Sequence, residues 1–161
     1  MPTSLEDVRV LRNAEQIADT IYKTASRWDE FAQDVVGKQM ARAADSIGAN
    51  IAESFGRFHF GEKIQFLYYA RGSVFETKYW LNRAAVRELM TSADSQDFIT
   101  RLTDIARQLN SYVSSLKGQR SGEVSVAKTV KESPVEYITS RIPGDLPDVL
   151  FDKTDFSWLE S

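Results

Sequence analysis

A run of small residues between Gln39 and Arg57 constrains the fold more than any other stretch of this 161-residue chain. The run, QMARAADSIGANIAESFGR, is made almost entirely of helix-forming residues, and its small side chains lie on several sides of the predicted helix. Small side chains let neighbouring backbones approach closely, so such a helix packs against partners on more than one side. Ile47 and Ile51, near Asn50, argue against an exposed alanine-rich helix. We therefore predict a central helix, in which a packing contact compensates for the roughly 1 kcal/mol that Gly48 costs.

Apolar residues recur at spacings of three and four over four stretches of the chain, which predicts four amphipathic helices. The predicted helices are Glu6–Arg27, Phe31–Ser54, Glu62–Met90 and Gln96–Lys117. Short connections between long helices favour antiparallel neighbours, so we predict an all-α, up-down four-helix bundle over residues 1–117. The first connection holds no Gly or Pro, and two readings stay open: a short break with Asp29 as N-cap, or one long kinked helix. Asp94 or Ser95 is the expected N-cap of the last helix.

Residues 118–161 differ in composition from the predicted bundle and begin with a linker-like stretch, Gly118–Glu123. Three of the four prolines lie in this tail, which has 5 Lys and Arg residues against 8 Asp and Glu. From Asp145 to Ser161 acidic and apolar residues are interleaved, a pattern typical of segments that dock on a partner. A protein partner, a neighbouring subunit and the chain's own bundle all remain open as the docking surface. The side chains expected to make the contact are Phe151, Phe156 and Trp158.

The composition excludes several classes of site. The chain has no cysteine, so disulfides, thiolate metal sites and cysteine nucleophiles are absent, which suits a cytoplasmic location. We predict neither a signal peptide, since the N-terminus has no apolar core segment, nor a membrane span, since no apolar run approaches about 20 residues. Residues 1–117 carry 15 basic and 15 acidic side chains. This balance argues against a generally basic nucleic-acid footprint, although a local basic face is compatible with it.

Two groups of residues resemble the signatures of a known family of bacterial four-helix-bundle proteins. The first group is Gln39, Arg42-Ala43-Ala44, Ser46-Ile47, Ala49-Asn50-Ile51-Ala52-Glu53 and Gly56-Arg57, and the second is Phe66-Leu67, Ala70-Arg71-Gly72-Ser73 and Glu76. They are similar to those of the 23S rRNA intervening-sequence protein family, also called the S23 family. The resemblance implies a left-handed up-down bundle that assembles as a homopentamer around a central pore, with no established activity in most members.

A related branch of that family, the accessory variability protein of diversity-generating retroelements, is a basic pentamer that binds nucleic acid and a reverse transcriptase. This chain departs from the family pattern in three respects. The usual Glu-Gly after Ile-Ala is replaced by Glu53-Ser54-Phe55-Gly56, the body is not basic, and the tail after Lys117 is an addition to which nothing carries over.

Polar signature residues on two successive helices are the candidates for a structural or assembly network. They are Arg42, Asn50, Glu53 and Arg57 on one helix, and Arg71, Ser73 and Glu76 on the next. Antiparallel packing could bring Arg71 near Glu53 or Asn50, and Arg42 or Arg57 near Glu76. The alternative is a carboxylate pair for acid–base or metal chemistry. We favour the structural role, because no Glu-x-x-His motif accompanies the carboxylates and the chain has one histidine. No catalytic residue, metal ligand or cofactor is predicted.

The turn between the second and third helices, FGRFHFG at Phe55–Gly61, combines aromatic and basic residues. Arg57, His59 and Lys63, with the phenylalanines beside them, could contact phosphates and stack on bases of single-stranded nucleic acid. Packing between subunits is the alternative, which we prefer. A lone histidine with no second ligand nearby in the sequence is not expected to bind a metal or act in catalysis.

Two functions follow from these patterns. The first is a non-enzymatic homo-oligomeric scaffold or adaptor whose tail docks on a protein partner or a neighbouring subunit. The second is a nucleic-acid-binding accessory protein of a reverse transcriptase or another mobile-element system. An enzyme ranks third, since no nucleophile–base pair, phosphate-binding loop or metal motif is present.

Overall fold

Helices make up the whole regular structure of the computed structural model, which describes residues 8–127, with side chains as far as residue 119. The elements are α1 (Arg9–Ala25), α2 (Glu30–Ala32), a π-helical turn (Gln33–Gly37), α3 (Lys38–Gly56), α4 (Phe60–Val86) and α5 (Ser92–Ala127). Because α2, the π-helical turn and α3 run on without a break, the described range contains four long helices and no strand. The predicted all-α four-helix bundle is confirmed.

The apolar stripes of the helices meet in one core. On α1 the predicted stripe is buried, and on α3 the buried positions include Met40, Ala44, Ile47 and Ile51. Side-chain hydrogen bonds then join neighbouring helices. Asn13 of α1 donates to Gln108 of α5 at 2.9 Å, Ser54 of α3 donates to the Lys63 carbonyl of α4 at 2.8 Å, and Ser95 of α5 donates to the Leu81 carbonyl of α4 at 3.4 Å. With α1 packed on α3 and α3 on α4, each long helix lies beside its sequence neighbours.

α1 ends at Ala25 and α2 begins at Glu30. The first connection is therefore a short break and not part of one long kinked helix. The Asp29 carboxylate accepts a hydrogen bond from the Ala32 amide at 2.9 Å, so the predicted N-cap is confirmed. The Gln33 side chain closes the turn by donating to the carbonyls of Ser26 and Trp28, at 3.1 and 2.7 Å. Side-chain hydrogen bonds therefore replace the glycine or proline that the sequence lacks here.

The π-helical turn at Gln33–Gly37 is a feature that the apolar spacing did not predict. A π turn adds one residue to a helix and so rotates the following side chains relative to the preceding ones. Val36 and Gly37 are buried in it, while Phe31 and Val35 stay exposed. A Cβ at Gly37 would lie 3.4 Å from the Cβ of Ala25, so this glycine marks the close approach of the π turn to α1.

Three predictions about the helix ends were wrong. The N-cap of α5 is Thr91, whose hydroxyl oxygen accepts from the Asp94 amide at 3.0 Å and donates to the Asp94 carboxylate at 2.8 Å, so neither Asp94 nor Ser95 fills that position. α5 also continues to Ala127, through the stretch predicted as a linker. α4 ends earlier than predicted, because Glu88 adopts a left-handed φ of 57°. The rest of the predicted tail, including Phe151, Phe156 and Trp158, lies outside the described residues.

No helix within residues 8–127 combines the length and the apolar character that crossing a membrane requires.

Candidate functional site: the outer surface of α4

α4 carries apolar side chains on its outer as well as its inner side. The inner side is buried in the core through residues such as Leu67, Ala70, Val74 and Leu81. On the opposite side of α4, residues at spacings of three and four form a row along the helix. We call this row the outer stripe of α4. It consists of Tyr69, Gly72, Glu76, Tyr79, Arg83 and Val86. In a single chain Tyr69, Tyr79 and Val86 are 50%, 56% and 69% exposed, so three large apolar side chains of this stripe face solvent.

Gly72 lies in the middle of the outer stripe, in a helix interior. A Cβ at this position would meet no other atom within 4 Å, so packing within the described bundle does not require a glycine. Glycine nevertheless costs about 1 kcal/mol relative to alanine there. No close helix crossing occurs at Gly72 among residues 8–127.

Gly48 of α3 also has room for a methyl group, so the packing contact predicted there does not require a glycine. A Cβ on Gly48 would lie 3.6 Å from Cδ1 of Leu11, an ordinary van der Waals distance. We expect Gly48→Ala to stabilise the bundle by up to about 1 kcal/mol, through the higher helix propensity of alanine. Urea unfolding followed by circular dichroism measures this change. A loss of stability would show instead that α1 and α3 cannot accept the added methyl group.

The predicted polar network is divided between local contacts in the single chain. Glu53 and Arg57 form an ion pair within one helical end, with side chains 48% and 40% exposed. Asn50 donates to the Ser46 carbonyl at 2.8 Å, and Ser73 donates to the Tyr69 carbonyl at 3.1 Å. The remaining members are also placed: Arg42 and Glu76 are exposed, and the Arg71 guanidinium lies 5.7 Å from the centroid of the Phe75 ring. A role of these residues in assembly stays a prediction.

The connection between α3 and α4 brings the predicted basic and aromatic residues to one end of the bundle. The Arg57 guanidinium lies 4.6 Å from the centroid of the Phe66 ring, and the Lys63 ammonium lies 5.9 Å from that of Phe60. Phe58 is 89% exposed, and its ring meets the His59 ring edge-on at 5.3 Å. Phe58 therefore remains in solvent in a single chain, and the packing of these phenylalanines between subunits stays a prediction.

Lys78 is a functional candidate that sequence reasoning missed. It is 2% exposed, and its ammonium group donates to the Thr103 hydroxyl at 3.0 Å and lies 5.6 Å from the centroid of the Phe75 ring. Burial, helped by the positive charge of Arg107, lowers the pKa of Lys78 from 10.5 to about 8. The available signal was its position, four residues after Val74 on the apolar side of α4.

Among the described residues, no group of three or more His, Asp or Glu side chains could hold a metal ion.

Comparison with known proteins agrees with the architecture. The family model of the 23S rRNA-intervening sequence proteins matches residues 6–111, which is well over half of the chain. The chain belongs to the 23S rRNA-intervening sequence protein family. This member is also similar in structure to a protein of unknown function from the S23 ribosomal protein family of Bacteroides thetaiotaomicron. The TM-score is 0.59 at 29% identity, covering 65% of this chain and 97% of the other. No curated protein matches this family member in sequence. The resemblance to the S23 family is thus confirmed, while the link to the retroelement branch stays a prediction.

Proposed function

We propose that this family member is a non-catalytic subunit of a homo-oligomeric scaffold, in which a second copy of the chain covers the outer stripe of α4. The exposed Tyr69, Tyr79 and Val86 around Gly72 carry this proposal. In the scaffold, residues 118–161 dock on a protein partner or a neighbouring subunit. The resemblance to the S23 family implies five subunits in the ring.

The chemistry of the stripe supports a protein neighbour. Tyrosines are enriched at protein interfaces, because their rings bury a large area while the hydroxyl group can stay hydrogen-bonded. A glycine between them lets the backbone of a neighbouring helix approach closely, which gives a reason for a residue that weakens an isolated helix. Glu76 and Arg83 add charges that can set the register of the contact. In a ring, the stripe of one subunit meets a different surface of the next.

The mass of the protein in solution tests the proposal, measured by light scattering after size-exclusion chromatography. We expect the wild type to have the mass of five chains, and Gly72→Leu and Tyr79→Glu to fall to smaller species. Gly72→Leu is the sharper variant, since leucine raises helix propensity and meets no atom within 4 Å at its Cβ. Its monomer should therefore stay folded, and circular dichroism checks this point.

Tyr22→Glu is the matched control, because Tyr22 is a tyrosine of α1 that is 62% exposed and lies outside the stripe. It should keep the mass of the wild type. A monomeric wild type would overturn the scaffold. If both stripe variants keep the mass of the wild type, the outer stripe of α4 is not the contact between subunits.

The cluster at the α3–α4 connection supports a second candidate function. We propose that this family member is a nucleic-acid-binding accessory protein of a reverse transcriptase or another mobile-element enzyme. The cluster would then be its nucleic-acid-binding site. The exposed ring of Phe58 is suited to stacking on a base, and the His59 ring meets it edge-on. Arg57 and Lys63 are close to it in the sequence. A ring of subunits would repeat this modest basic surface and raise its avidity. The ion pair of Arg57 with Glu53 reduces the positive charge, which is why this function ranks second.

Fluorescence anisotropy with a labelled 20-nucleotide single-stranded RNA tests this candidate. We expect binding at 50 mM salt that weakens steeply at 300 mM, and at least tenfold weaker binding for Phe58→Ala combined with Lys63→Gln. Lys38→Gln is the control, since Lys38 is an exposed lysine at the other end of α3, paired with Asp34 at 2.6 Å. No binding at low salt by an intact oligomer would end this candidate.

A further inference from the structure

A groove with a volume of about 280 Å³ lies on the surface between α1 and α3. Small side chains form its floor: Ala14 and Ala18 of α1, with Gly48 and Ala52 of α3. A Cβ at Gly48 would lie 3.6 Å from Cδ1 of Leu11, so the glycine keeps this part of the groove open. Among the described residues, the groove therefore has room for a large side chain from outside the bundle.

Three carboxylates line the walls of this groove. Glu15 and Asp19 are four residues apart on α1, which places them on one side of that helix, and Asp45 belongs to α3. All three side chains are exposed, and within residues 8–119 none of them forms an ion pair or accepts a hydrogen bond. The groove thus combines an apolar floor with negative walls, which suits a partner that carries large apolar side chains and positive charges.

The C-terminal half of the outer stripe of α4, Tyr79–Val86, has the complementary character. Tyr79 and Val86 supply exposed apolar side chains, and the Arg83 guanidinium lies 5.9 Å from the centroid of the Tyr79 ring. Arg87 follows one helical turn after Arg83 and is exposed. Neither arginine forms an ion pair within the part of the chain that the structure describes, and Nε of Arg83 has no hydrogen-bond partner there. The two arginines have the same spacing as the two carboxylates of α1.

We infer that the groove between α1 and α3 receives the C-terminal half of the outer stripe from a neighbouring copy of the chain. This inference rests on the proposed scaffold, in which a second copy covers the stripe, and it names the surface of that copy which makes the contact. Groove and stripe are different surfaces of one chain, so each subunit gives its stripe to one neighbour and its groove to the other. Such head-to-tail contacts are the kind that close into a ring.

Size and charge both favour this pairing. The Tyr79 ring is a large side chain that can enter a groove of small ones, as in the packing of helix ridges into helix grooves. Arginine holds both oxygens of a carboxylate through its planar guanidinium, and the equal spacings let two such pairs form at once. Tyrosine and arginine are also enriched among the residues that contribute most to binding at protein interfaces. The carboxylates of the groove would instead repel a nucleic acid, and they would repel the acidic segment Asp145–Ser161.

Charge reversal followed by rescue tests the inference on the full-length protein, with the mass measured by light scattering after size-exclusion chromatography. One double variant combines Arg83→Glu with Arg87→Glu, and the other combines Glu15→Arg with Asp19→Arg. We expect each to raise the protein concentration at which the oligomer dissociates by about tenfold or more, because like charges then face each other. All four substitutions together should restore the mass of the wild type, since the same pairs form with the charges exchanged.

Asp97→Arg with Asp104→Arg is the matched control, because both are exposed carboxylates of α5 that lie outside the groove. Combined with the two arginine reversals, it gives the same net charge as the fourfold variant, but it should not restore the mass. Circular dichroism checks that each variant is folded. Arg87→Glu serves as a single variant if Arg83→Glu unfolds the protein, since Arg87 is exposed.

Two results would overturn the inference. The first is an oligomer that keeps its mass with Glu15→Arg and Asp19→Arg, which would leave the groove to another occupant, such as a basic partner protein. The second is a folded fourfold variant that stays dissociated. In either case the scaffold itself still stands if the wild type is an oligomer that Tyr79→Glu dissociates. A monomeric wild type contradicts both proposals.

Discussion

Replacing Lys78 with methionine should stabilise the bundle at pH 7 and remove part of its pH dependence in the alkaline range. The pKa of Lys78 is lowered to about 8 in the folded protein, so between that pH and about 10.5 the unfolded chain binds more protons at this group. The stability of the wild type should therefore rise with pH across this window. The full shift corresponds to about 3 kcal/mol.

Lys78→Met keeps the length of the side chain and removes the charge that burial disfavours. Thr103 loses its hydrogen-bond donor, but its hydroxyl still donates to the Ile99 carbonyl at 2.8 Å. We expect a gain of about 1–3 kcal/mol at pH 7, which shrinks toward zero near pH 10.5. Urea unfolding at one protein concentration and several pH values measures the difference.

Lys38→Met is the control for this experiment, because Lys38 is exposed. It should change the free energy of unfolding by less than about 0.5 kcal/mol. It should also leave the pH dependence of that free energy unchanged. Other groups titrate in the same range, but they do so equally in both proteins and cancel in the difference. Parallel pH profiles for the wild type and Lys78→Met would contradict the burial of a charged ammonium group.

Enlarging Ala44 should destabilise the bundle, because this residue of α3 has no exposed surface. Ala44→Leu adds three carbon atoms where neighbouring helices pack closely, and overpacking of a core typically costs about 1–3 kcal/mol. Ala49→Leu is the control, since it makes the same change at an exposed position of the same helix. Urea unfolding of both variants compares them, and equal stabilities would refute the central, closely packed position of α3.

Periodicity predicted most of the fold because it is a local property of the chain. The apolar stripe of α1 and the core positions of α3 follow from spacings of three and four, and they are buried as expected. Arg57, His59 and Lys63 are near neighbours in sequence and lie at the short connection between α3 and α4, while their role as a site stays a prediction. The identity of the family followed from two signatures in order, independently of packing.

Features that depend on how helices face one another were missed. Lys78 looks like a surface residue in sequence, yet α5 covers it and supplies Thr103 as its partner. The π turn at Gln33–Gly37 was missed because spacings of three and four assume a regular α-helix, and a π turn adds one residue to it. Gly48 was predicted to make an internal packing contact that needs a glycine, whereas both Gly48 and Gly72 have room for a methyl group in the described bundle.

The sequence by itself determined the helices, the bundle and the family, because helical periodicity and signature residues are written along a single chain. The tertiary structure decided which charged groups are buried and which apolar groups remain exposed. Helix packing covers Lys78 and leaves Tyr69 and Tyr79 in solvent. The physical reason is that burial depends on the position of neighbouring helices, and residues distant in the sequence supply those neighbours.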